Sequence, residues 1–119
     1  MIYVTGDIHG GLDISKLSNK HWKESRSLTR DDYLIICGDF GLPFLDSDIL
    51  PDGTPARGTY NYEIKYLKTK PYTILFVDGN HENHPFWDRQ SVSEWHGGKV
   101  HFHPHAENII HLMRGEIYK

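Results

Sequence analysis

Hydrophobic positions along the chain gather into short runs that each stop at a glycine. Residues 2–5, 33–37 and 72–77 are rich in β-branched or aromatic side chains, and Gly6, Gly38 and, after Asp78, Gly79 close them. Runs this short, bounded by turn formers, predict buried strands. Between the first two, residues 12–20 place Ile14, Leu17 and His21 at spacings of three and four, which predicts a helix. Between the last two, Tyr60, Ile64 and Leu67 fall at i, i+4 and i+7 and predict another. Strands that are apolar nearly throughout, alternating with amphipathic helices, predict an α/β fold: a mainly parallel sheet with flanking helices on both faces and right-handed crossovers.

The rest of the chain patterns less strongly. Residues 38–58 carry Pro43, Pro51 and Pro55 and read as a long surface loop, of the kind that is usually functional. Ser91-Val92-Ser93-Glu94 has the form of a capping box ahead of a short helical turn, broken by Gly97-Gly98. Residues 99–103 and 108–114 read as two further short strands.

Composition narrows the class. A chain of 119 residues fits one domain, and 38% hydrophobic with 24% charged residues is the balance of a folded, soluble protein. The net charge of −3, with no cluster of Lys and Arg, gives no basic face for nucleic acid. No apolar stretch has the length of a leader or a membrane span, so the expected location is cytoplasmic. The single cysteine, Cys37, lies inside an apolar run and is expected to be a small core residue. Histidine is the outlier: nine occur, at positions 9, 21, 81, 84, 96, 101, 103, 105 and 111.

Position gives these histidines a meaning. Gly6-Asp7, Gly38-Asp39 and Gly79-Asn80 each follow a predicted strand, so their oxygen-bearing side chains fall at the carboxyl edge of one sheet, where open α/β folds bind ligands. His9 and His81 lie within two residues of them. The edge thus gathers two carboxylates, a carboxamide and two imidazoles, a donor set suited to Mn, Fe, Co, Ni or Zn. In Asp7-Ile8-His9 the first and third residues of an extended segment point the same way and could share an ion. Each piece alone is an ordinary turn or cap; their succession at three strand ends argues for a metal site. Gly10-Gly11, opening the helix after His9, would offer backbone N–H groups to an anion.

"GDIHG" (6–10), "GDFG" (38–41) and "GNHE" (79–82) together resemble the signature of the calcineurin-like metallophosphoesterases, over residues 1 to about 84. The resemblance implies the N-terminal half of an α/β/β/α sandwich and a dinuclear centre of two divalent ions, manganese foremost. Asp7 and His9 would bind one ion, Asp39 would bridge, and Asn80 would bind the second. His81 would act as general acid or contact the phosphoryl oxygens of a phosphomonoester or phosphodiester substrate. Such hydrolysis needs an activated water, neutralised phosphoryl charge and a proton for the leaving group, which two ions and an imidazole supply.

The chain departs from the pattern in two places. Many relatives orient the catalytic histidine with an Asp three residues after the bridging one; here that position is Leu42, and Asp46 or Asp48 is the expected substitute, with Arg57 or Arg89 as phosphate-binding candidates. The family's later half also supplies three more ligand histidines, so residues 1–119 are expected to form a truncated domain. The pattern His101-Phe102-His103-Pro104-His105 is the one that could imitate them. A half-sandwich would leave one apolar sheet face open, with Phe86, Trp87, Trp95 and Phe102 expected there, and would favour self-association or association with the missing half. The alternative function is therefore a catalytically incomplete metal- or phosphate-binding module acting through protein association. A nucleotide-binding domain without metal is disfavoured, because no glycine-rich phosphate loop occurs.

Overall fold

The computed structural model describes residues 1–42 and 59–119. Six strands, β1 (Ile2–Thr5), β2 (Tyr33–Cys37), β3 (Thr73–Val77), β4 (Val92–Trp95), β5 (Gly98–His103) and β6 (Ala106–Leu112), form one sheet in the order β1-β2-β3-β6-β5-β4. The first four in that order run parallel, and β5 and β4 continue the sheet antiparallel. Two α-helices, α1 (Thr59–Lys68) and α2 (His84–Asp88), precede and follow β3. The register levels the strand ends: Thr5 pairs with Ile36, Ile36 with Phe76, and Cys37 with Val77. Residues 6–7, 38–39 and 78–80 therefore leave the sheet side by side at one edge.

Alternation along the strands sorts two clusters. Leu34, Ile36, Ile74, Phe76 and Ile109 face a large core with Ile8, Leu17, Phe40, Leu42, Ile64, Leu67, Phe86 and Trp87. Ile64 and Leu67 sit where the predicted helix placed them. Leu75, Val100 and Ile110 are buried on the other face, rimmed by Tyr33, Ile35, Trp95, Phe102, Leu112 and Tyr118. Among the described residues the buried apolar side chains of the helices and 3-10 turns, Leu17, Ile64, Leu67, Phe86 and Trp87, all belong to the first cluster. The second face is open in part, with Ile2 63% and Val4 66% exposed, and holds a shallow hollow of about 320 Å³ lined by Ile35, Leu75, Trp95 and Leu112.

Several sequence expectations are corrected. Cys37 is exposed, because alternation along β2 puts positions 33, 35 and 37 on the second face and nothing among the described residues covers its far end. Phe86 and Trp87 lie in the main core at 2% and 1% exposure, while Trp95 and Phe102 do border the open face. The predicted helix over 12–20 is a 3-10 segment, Ile14–Leu17, followed by another, Lys23–Ser27. Ser91 to Glu94 is no helix cap: Val92–Trp95 pairs antiparallel with β5 across a two-residue turn. His96 and Gly97 both have positive φ there, 49° and 85°, the conformation that lets a tight hairpin follow the strand twist. The loop predicted over 38–58 lies outside the described residues beyond Leu42, as do Asp46, Asp48 and Arg57. Among the described residues no helix is long and apolar enough to cross a membrane.

Candidate metal centre

The loops after β1 and β2 are joined through their main chains. The amide of His9 donates to the carbonyl of Asp39 and that of Gly10 to Phe40, both at 2.9 Å. His9 and Asp39 each adopt φ 47°, a left-handed conformation uncommon for non-glycine residues and concentrated at functional sites. Ile8 is fully buried while Asp7 and His9 on either side of it reach the surface, although by a turn with His9 at positive φ rather than by the extended alternation expected. Lys16 steadies the exit of β1 by donating to the carbonyls of Gly6 and Asp7, at 3.1 and 3.3 Å.

The third loop locks onto the second through Glu82. Its half-buried carboxylate accepts from the amides of Phe40 (3.0 Å), Gly41 (2.6 Å) and Gly79 (3.1 Å). Burial raises this carboxyl above its usual range, with the amides of Gly41, Gly79 and Phe40 pulling the other way. Since Gly10 already gives its N–H to Phe40, it does not offer that group to an anion as expected, and no α-helix follows it.

These clasps bring His9, Asp39 and His81 together, with one donor atom from each lying within 4.8 Å of the others. Asp39 Oδ2 is 3.0 Å from His81 Nδ1 and 3.6 Å from His9 Nε2, and its other oxygen accepts the His81 amide at 2.8 Å. The hydrogen bond from the His81 ring, then that from its amide, holds the Asp39 carboxyl below the usual carboxylate range, so it is an anion at neutral pH. Asp7 stands one step out, 3.8 Å from His9 Nε2. Asn80 is exposed in the turn beside His81. Two donors on one transition-metal ion sit at most about 4 Å apart, twice a bond length of ~2.1 Å, so the 3.6 Å between His9 Nε2 and Asp39 Oδ2 fits a single cation's shell, while the 3.0 Å contact of His81 is a hydrogen bond.

A family model for calcineurin-like phosphoesterases matches residues 1–116. The chain belongs to that family. Neither a curated protein nor a solved structure matches it. As a calcineurin-like phosphoesterase it carries an α/β sheet with flanking helices and motif side chains at the carboxyl edge. Among the described residues it orients His81 through Asp39, while Leu42, where many relatives have Asp, is buried and accepts the Trp87 indole N–H at 3.2 Å.

Other expectations lie apart from this group. His101 and His103 are buried at 3% each on the core face, and they do not join the donors around Asp39. Arg89 is exposed at the C-terminal end of α2. Sequence reasoning missed Lys16, Asp78 and His111, and took Glu82 only as a possible cap. Asp78 continues the inward alternation of β3 and meets His111 Nε2 at 2.5 Å and Arg114 Nε at 3.2 Å. Burial raises its carboxyl, but the hydrogen bond and charge of His111 bring it below the usual range. The signal in the sequence is an imidazole two residues after Ile109, at a position where the strand pattern calls for an apolar side chain.

Proposed function

We propose that this chain hydrolyses phosphate esters, monoesters or diesters, at a divalent-metal centre on the carboxyl edge of its sheet. The supporting observation is the convergence of His9 and His81 on the ionised Asp39. Asp7 and His9 would hold one ion, Asp39 would be shared, and Asn80 would hold a second, with manganese the first to try. Bound there, the ions would supply water activation and charge neutralisation at the phosphoryl oxygens.

The protein's own part is to hold and deliver a proton. An ionised carboxylate can only accept, so His81 Nδ1 donates to Asp39 Oδ2 and its Nε2 is the atom left to face a substrate. Its side chain is 53% exposed, so the ring, when protonated, can present Nε2–H to the bridging oxygen of an ester. As the P–O bond breaks, Nε2 gives that oxygen its proton; the water that adds to phosphorus later restores it. Asp39 fixes the ring's orientation throughout.

The test is hydrolysis of p-nitrophenyl phosphate and bis-p-nitrophenyl phosphate with added Mn²⁺. Wild-type protein is expected to show metal-stimulated turnover, Asp39→Asn to lose it, and His81→Ala to lower it by about 10²–10⁴-fold. A second reading draws on the open apolar face: a metal- or phosphate-binding module that acts by association. Mn²⁺ binding abolished by Asp39→Asn, without any turnover, would favour the module over the enzyme.

A further inference from the structure

We infer that His111, acting through Asp78, is the positioning residue for the turn that presents Asn80 and His81. This rests on the cation-holding role proposed for that turn. Asp78 is the last inward-facing residue of the β3 line, its side chain only 10% exposed, and it immediately precedes Gly79. A carboxylate there needs a partner, because leaving a buried anion without one costs several kcal/mol. The neighbouring strand provides it. β6 runs parallel to β3 with Phe76 opposite His111, which sets the imidazole within reach of the carboxylate two residues further on.

The ring has little freedom to be elsewhere. It stacks on Phe76 with centroids 4.9 Å apart and on His101 at 5.1 Å, and Trp87 of α2 closes it at 5.5 Å. Because Asp78 accepts, His111 Nε2 must donate. His111 Nδ1 then meets His101 Nδ1 at 2.9 Å, where one ring donates and the other accepts. Both nitrogens of His111 are thereby committed, and its Nε2–H is aimed at Asp78 Oδ1. Arg114, 74% exposed, holds the second oxygen from outside. A phenylalanine would fill this space equally well; what the imidazole adds is the donor that pins the start of the turn. Beyond it the Gly79 amide is clasped by Glu82 and the His81 amide by Asp39, so the turn is fixed at both ends.

The experiment uses metal-free, isotope-labelled full chain. Amide exchange at Gly79 and His81 reports opening of the turn, and exchange at Ile74, Val100 and Ile109 reports the sheet. His111→Phe keeps the stacked ring and removes the donor; it is expected to speed exchange at Gly79 and His81 selectively and to weaken Mn²⁺ binding about tenfold. His111→Gln removes the ring but keeps a donor at the Nε2 position, and is expected to restore both. Arg114→Gln, at an exposed site, is expected to give a smaller change at the same two amides; if His111→Phe does not fold, Asp78→Ala, which removes the acceptor without leaving a buried anion, takes its place and is expected to speed exchange at Gly79 and His81 selectively. Unchanged exchange at Gly79 and His81, or a uniform rise across the sheet, would overturn the inference. A wild-type protein that binds no Mn²⁺ would instead overturn the proposed function, and the exchange data would still judge the role of His111.

Discussion

Asp39 accepts from both the ring and the amide of His81, and its carboxylate occupies the space where a side chain at position 79 would begin. A β-carbon on Gly79 would lie 2.0 Å from Asp39 Oδ1 and 2.3 Å from the Asp39 nitrogen. Neither atom can retreat, one being backbone and the other held by His81. Gly79→Ala is therefore expected to cost about 1–3 kcal/mol of stability, measured by urea unfolding, and to weaken Mn²⁺ binding by displacing Asp39. The exposed polar groups of the candidate site stood out in the sequence because a polar residue placed just past a strand end has few reasons to be there. The residues that support them were not. His111 sits inside an apolar strand, and nothing local says that its partner comes from a strand 33 positions earlier.

The loop after β3 owes its placement against the loop after β2 to Glu82 and to the short helix α2 that follows it. Asn83 caps α2 by accepting from the Phe86 amide at 3.2 Å, and Phe86 and Trp87 anchor the helix in the core, so Glu82 is held against the loop after β2. Glu82→Gln keeps the size but puts an NH₂ where one oxygen now accepts, leaving at least one buried amide unpaired. A loss of about 1–3 kcal/mol is expected, seen as a lower urea midpoint and faster exchange of the Phe40 and Gly41 amides. At this scale the parallel strands were readable because burial on both faces makes them continuous apolar runs. The hairpin was not, since Ser91 to Glu94 satisfies a helix cap as well as a strand, and pairing with β5 settles between them. Residues 12–20 carried helical spacing, but the chain there makes only 3-10 turns around Leu17.

For the molecule as a whole, the buried histidines set an acid limit. Burial, with the charges of His105 and Lys68 adding to it, brings His103 down to about 3 from 6.5. Below 6.5 the unfolded ring takes up a proton that the folded one refuses, so stability present above pH 6.5 declines as the pH falls toward 3. Between pH 6.5 and 4.5 this amounts to on the order of 2–3 kcal/mol. Urea unfolding at the two pH values should show that decline, and His103→Asn, which can still accept the His105 amide, should flatten it. The strand pattern alone predicts helices on both faces, which the described residues do not show, whereas the half-sandwich reading anticipates one open apolar face; which aromatics border it depends on α2 turning Phe86 and Trp87 the other way.

The two amide-to-carbonyl links between the loops after β1 and β2 use no side-chain atom. Exchanging Asp7 or Asn80 for another donor leaves those links untouched. On the proposed function, the mouth of the sheet is thus a frame on which ion preference would be retuned one residue at a time, without rebuilding the fold beneath it.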